Sequence, residues 1–144
     1  MKIFTYLPGI TDAEMDGYEQ VDLSEIGEVD NASCNEVFVG ECLDFIEQRE
    51  DFGNELVKKI AYDGTITIIG LDIFEICRAI ETCQVDLPAI NTILYRHRCS
   101  VSDITNMVKW VHRCGLKIVS QRVEDFRYTI IAKTPSPEDG STNN

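Results

Sequence analysis

Thr65-Ile66-Thr67-Ile68-Ile69-Gly70-Leu71-Asp72 is the stretch on which the fold turns. Its run of β-branched residues suits a strand. The continuity of the run, in place of strict alternation, suits burial on both faces in the middle of a parallel sheet. Upstream the pattern is helical: Phe52, Leu56, Val57 and Ile60 share one face, Glu55, Lys58 and Lys59 lie opposite, and Asp63-Gly64 is the expected stop. Downstream, Asp72 opens a second helical run with Ile73, Ile76, Cys77 and Ile80 on one face. A strand set between helices implies an α/β sheet covered by helices, with right-handed crossovers between parallel neighbours.

Working outward, Lys2–Leu7 reads as a strand closed by Pro8-Gly9, and Thr11-Asp12 as the start of a turn or helix. Tyr18–Leu23 is a second strand ending at Asp22, residues 24–35 are loop-like, and Glu36–Gly40 is a third strand. A further helix is expected after Pro88, through Ile90, Ile93 and Leu94 to Tyr95. The clearest helix has Ser102 as N-cap, Asp103 in its first turn and a stripe of Ile104, Met107, Val108 and Val111. His112-Arg113 occupy its last turn and Gly115 is its left-handed stop. Leu116–Val123 and Arg127–Lys133 form a hairpin around Glu124-Asp125. The tail Thr134–Asn144 contains no apolar residue and is expected to be disordered, leaving residues 1–133 as a single domain.

The chain has 144 residues, 44% hydrophobic and 26% charged, which fits one globular domain. Its formal net charge is −12, and the excess is local. Residues 1–56 carry 15 acids against Lys2 and Arg49, whereas residues 57–144 carry 10 acids and 11 bases. Such a front half repels phosphate, so neither nucleic acid nor an anionic membrane is an expected partner. No apolar run approaches the ~20 residues that span a bilayer. The N-terminus lacks the apolar core of a signal peptide. The six cysteines (34, 42, 77, 83, 99 and 114) contain no C-x-x-C, which points to reduced thiols, mostly core, in a cytoplasmic protein.

Three segments carry a family resemblance. They are Asp30-Asn31-Ala32-Ser33-Cys34-Asn35-Glu36-Val37-Phe38-Val39-Gly40-Glu41-Cys42-Leu43-Asp44-Phe45-Ile46, the run Ile60–Asp72, and Ser102-Asp103-Ile104 through Cys114-Gly115-Leu116-Lys117-Ile118-Val119. In order and spacing they resemble the class I S-adenosylmethionine-dependent methyltransferases, in particular small and phage-borne ones. The resemblance covers roughly residues 18–134 and implies a Rossmann-like three-layer sandwich, mostly parallel, ending in an antiparallel hairpin. The family also has a glycine-rich loop after its first strand, where the backbone approaches the cofactor. Here that place is Leu7-Pro8-Gly9-Ile10-Thr11-Asp12, with one glycine, and no G-x-G occurs anywhere in the chain. Too little sequence precedes Asp22 for a complete first β-α-β unit, so the cofactor half is expected to be cut down to one strand and a loop.

A remnant cofactor crevice would lie beyond the C-terminal ends of the parallel strands, placing Asp22, Gly40, Glu41 and Asp72 along one rim. The resemblance implies Asp22 facing an adenosine hydroxyl or adenine amine, and Gly40-Glu41 the methionine end of S-adenosylmethionine. The same positions suit strand-end turns, and Asp72 suits a helix N-cap. His97 and His112 are the two imidazoles available as a general base; His112 also fits a helix C-terminus. Arg96 and Arg98 suit a solvated loop or an anion contact. Neither a G-x-S-x-G nucleophile, a P-loop nor a metal-ligand cluster occurs in the sequence. The expected function is a methyltransferase-like interaction or regulatory module with a degenerate cofactor site, binding a protein partner or itself. Two alternatives stand beside it. One is an active methyltransferase on a small-molecule or sugar substrate; the other is an acidic decoy for a basic partner surface.

Overall fold

The computed structural model describes residues 1–11 and 14–135. Asp12 and the tail from Ser136 onward, for which a helix or turn start and disorder were expected, lie outside these residues. Six strands form one sheet in the order β2-β1-β3-β4-β6-β5. They are β1 (Lys2–Tyr6), β2 (Glu19–Asp22), β3 (Cys34–Val39), β4 (Ile60–Leu71), β5 (Lys117–Glu124) and β6 (Arg127–Lys133). The pairs β1–β2, β1–β3 and β3–β4 are parallel, while β4–β6 and β6–β5 are antiparallel. Four helices complete the fold: α1 (Arg49–Lys59), α2 (Ile73–Glu81), α3 (Leu87–Tyr95) and α4 (Ile104–Arg113). None is long and apolar enough to cross a membrane.

Register aligns Ile3, Val37, Ile66 and Ala132 across one face of the sheet, all fully or almost fully buried. Leu56 of α1 and Met107, Trp110 and Val111 of α4 pack into the same core. Each such side chain contributes about 1.5–3 kcal/mol on burial. The opposite face aligns Phe4, Phe38, Thr67 and Ile131. There the rings of Phe4 and Phe38 lie 5.5 Å apart, and Tyr18 meets Phe38 edge-on at 6.4 Å.

This arrangement corrects the expectation that β4 is buried on both faces. Ile66, Ile68 and Gly70 are buried, but Thr65, Thr67, Ile69 and Leu71 are only half-buried. The Asp63-Gly64 stop is also displaced. Helix α1 ends at Lys59 and the chain enters β4 directly. The excess residues form an irregularity in the β3–β4 pairing, where Cys34 opposes Ile60 but Glu36 opposes Thr65, and Asp63 takes φ +58°.

The start of α4 also differs from expectation. The N-cap of α4 is Asp103, whose carboxylate accepts from the Asn106 N–H at 2.7 Å. Ser102 instead forms an isolated bridge with Asp72. Gly115 does take the left-handed conformation, with φ +80°. In α2 the buried residues are Ile76 and Ala79, whereas Cys77 and Ile80 face solvent. The loop expected over 24–35 begins with a 3₁₀ turn, Leu23–Glu28, which places Leu23 and Ile26 in the core. At the hairpin the turn sits one residue later than expected, with Asp125 and Phe126 both at positive φ. Such φ values match the twist of the flanking strands.

All six thiols are free, but only Cys34 and Cys42 are buried, so the expectation of a mostly core cysteine set does not hold. Burial pushes the Cys42 thiol up to about 11, against the opposing hydrogen bond with Thr5. Thiolate is the reactive form, so Cys42 is expected to resist alkylation at pH 8 while exposed Cys77, Cys83 and Cys99 react. Peptide mapping after a brief iodoacetamide pulse reads this. Labelling of Cys42 at the rate of Cys77 in the folded protein would contradict the packing described.

Candidate functional site

Because β1 to β4 run parallel, the residues that follow them emerge along one edge of the sheet. After β1, Ile10 and Thr11 donate their backbone N–H groups to Leu7 O at 3.1 and 2.9 Å, and Leu7 N donates to Thr11 Oγ1 at 2.8 Å. This closed turn follows β1 directly. It brings Gly9 and Ile10 against Glu41 and Phe45, which follow β3, and Leu71, which ends β4. The end of α3 and the hairpin complete a cleft of about 360 Å³, with Arg96, His97 and Arg127 along it. A second cavity of about 540 Å³ adjoins it, on the Phe4, Phe38 and Ile69 side of the sheet. Ile10, Glu41 and Arg127 line both.

The four residues predicted for the rim are not all brought together. Glu41 lies in the cleft and is ion-paired through its Oε1 to Arg127 Nε. Gly40 lines the adjoining cavity. A Cβ there would meet the Phe4 ring at 3.2 Å and Thr5 O at 3.3 Å, so the close approach of these chains uses the missing side chain. Asp22 does not line the cleft; its Oδ1 accepts from both Ser24 N and Ser24 Oγ at 2.9 Å, capping the 3₁₀ turn. Asp72 is 3% exposed and caps two helices. Its Oδ1 accepts from Phe74 N and Glu75 N at 3.0 and 3.2 Å, and its Oδ2 from Ile104 N at 2.9 Å. One carboxylate thus satisfies orphan donors of α2 and α4 and faces the positive ends of both.

Next to the cleft lies a charged cluster that the sequence did not reveal. Asp44 is buried, and its carboxylate is held by Arg98 NH1 at 2.6 Å and Arg49 NH2 at 3.1 Å. Ser102 Oγ lies 3.4 Å from the same carboxylate and 3.4 Å from the Tyr128 hydroxyl. The Asp44 carbonyl accepts from Cys99 N and Ser100 N at 2.7 and 3.1 Å, and Arg49 NH2 donates to Ser100 Oγ. Arg98 also donates its Nε–H to Ile93 O at 2.5 Å and lies 4.8 Å over the Phe45 ring. Burial raises the Asp44 carboxyl above its ordinary range, opposed by Arg98, Arg49 and the Ser102 hydroxyl. Burial likewise pushes the Tyr128 phenol up to about 12. Arg98 is therefore a clamp that fixes segment 96–102 beside the cleft, which corrects its expected place on a solvated loop.

His97 and Arg96 stand apart from that clamp. Both are exposed, and neither has a protein partner among the described residues. His97 takes φ +65°, a conformation that non-glycine residues occupy at a cost. His112 sits exposed in the last turn of α4, away from the cleft, as its helix-end position implied. Among the described residues no three His, Cys, Asp or Glu side chains gather to hold a metal ion.

Comparison with solved structures settles the architecture. An O-methyltransferase family protein from Burkholderia thailandensis superposes with a TM-score of 0.61 at 11% identity, over 83% of this chain and 36% of that one. The fold is that of the class I methyltransferases. A SAM-dependent methyltransferase from Thermotoga maritima gives 0.61 at 10% identity, over 83% of this chain and 65% of its own. One from Methanosarcina mazei gives 0.60 at 11%, over 89% and 72%. The chain thus spans about a third to about three quarters of the length of these methyltransferases. No protein-family model matches the sequence, and no curated protein matches it significantly.

Proposed function

We propose that this methyltransferase-fold chain is a non-methylating interaction or regulatory module whose cofactor half is reduced. The observation that carries this reading is the connection between β1 and β2. Among its described residues (7–11 and 14–18), a closed turn, Leu7–Thr11, follows β1 directly, where the family resemblance implies a glycine-rich loop. The backbone N–H groups of Ile10 and Thr11 are spent on Leu7 O and not offered to a ligand. The Asp22 carboxylate, which would accept from a ribose, caps its own 3₁₀ turn, and the Glu41–Arg127 pair stands between the two cavities. A protein partner or a second copy would find apolar side chains on α2 and α3, where Phe74, Leu87 and Tyr95 are 61, 68 and 78% exposed. Calorimetric titration with S-adenosylhomocysteine tests the reading. The expected result is no saturable heat, and a micromolar dissociation constant would overturn it.

The cleft itself favours a second reading, an active methyltransferase on a small-molecule or sugar substrate. It keeps a volume within the range of small-ligand sites at the edge of the sheet where α/β proteins place their ligands. Transfer of a labelled methyl group from S-adenosylmethionine to any acceptor would decide for that reading.

A further inference from the structure

We infer that the cleft at the strand ends binds a small ligand with an anionic headgroup, carboxylate or phosphate, on an apolar body. Three arginines and a histidine line it (Arg96, His97, Arg98 and Arg127) against one acid, Glu41. This is a local reversal in a chain of formal charge −12. The cations are not equally available. Arg98 is committed to Asp44 and Ile93 O. Arg127 gives its Nε to Glu41, and its terminal nitrogens have no protein partner among the described residues. Arg96 and His97 have none at all among those residues. A guanidinium is a planar fork that matches a carboxylate or phosphate in two parallel hydrogen bonds, and a neighbouring imidazole adds a third donor or acceptor.

Two further features make the cleft a built site. Arg96 and His97 are held at its mouth by the buried Arg98–Asp44 clamp immediately after them, and His97 is fixed at φ +65°. The apolar residues Ile10, Phe45, Leu71 and Ile93 supply a surface for a flat or branched body behind the headgroup. A volume of about 360 Å³ admits a ligand of one ring and its substituents. The inference goes beyond the non-methylating reading and does not depend on it, since it rests on Arg96 and His97, which belong to neither the closed turn after β1 nor the Glu41–Arg127 pair.

Benzoate, phenyl phosphate and neutral benzamide, each titrated without S-adenosylmethionine into the ¹⁵N-labelled full chain, form the test. Saturable amide shifts at residues 93–98 and 127 with benzoate or phenyl phosphate are expected, and which anion binds more tightly identifies the headgroup. Benzamide and the Arg96→Gln variant are each expected to lose about tenfold in affinity. His97→Gln should lose less, because its amide still donates a hydrogen bond. Arg96 and His97 are exposed, so the variants keep the fold, which their own spectra verify. Equal binding of benzamide and benzoate, wild-type affinity in Arg96→Gln, shifts confined to other residues, or no saturation at tens of millimolar would each overturn the inference. Failure here leaves the calorimetric result with S-adenosylhomocysteine unaffected, so the two readings fail separately.

Discussion

Asp44→Ala is expected to lower the unfolding free energy by about 3–5 kcal/mol, because it strips the shared partner from two partly buried guanidiniums. The side chains of Arg98 and Arg49 are 11 and 20% exposed, so water replaces little of what the carboxylate supplied. Urea unfolding followed by the fluorescence of Trp110, the one tryptophan, measures the loss. Asp44→Asn keeps an oxygen acceptor at the same position and is expected to lose less. Combining Asp44→Ala with Arg98→Met removes the most deeply buried orphaned charge and should recover part of the deficit. A loss for Asp44→Ala below about 1 kcal/mol, the range of an exposed pair, would mean that the cluster is solvated and fixes nothing.

Gly53→Ala is the second large effect, and its sign runs against helix propensity. Alanine in the interior of α1 should gain about 1 kcal/mol over glycine. Yet Gly53 is buried, and a Cβ there would overlap the indole ring of Trp110, itself 4% exposed. The ring is buried in the core against Gly53, so relief requires moving a helix, and overpacking of this kind costs about 1–3 kcal/mol. The expected result is a net loss of stability with a changed Trp110 emission. In a Trp110→Leu background the same substitution should be tolerated or favourable. An unchanged or raised stability for Gly53→Ala alone would contradict the packing of α1 on α4.

How legible each part was depended on the range of the interactions that fix it. The order of strands and helices followed from local patterns: the β-branched run at Thr65–Ile69, the Asp72 cap, and the stripe of Met107 and Val111. Errors arose where a distant partner decided. Ser102 and Asp103 are both good caps, and only the bridge to Asp72 and the contacts to Asp44 and Tyr128 assign Ser102 elsewhere. Arg98 looked solvated because its partner, Asp44, is 54 residues away in sequence. Glu41 was visible as a strand-end acid, but its pairing with Arg127 spans 86 residues.

The central claim is that the closed turn after β1 and the Glu41–Arg127 pair stand where a nucleoside cofactor would lie. A crystal structure of the full chain grown with S-adenosylhomocysteine at saturating concentration tests it most directly. The account predicts that the Leu7–Thr11 turn, the Asp22–Ser24 cap and the Glu41–Arg127 pair remain intact, with no nucleoside density beyond β1 and β3. A nucleoside bound there, its ribose hydroxyls on Asp22 and the Glu41–Arg127 pair parted, would contradict it.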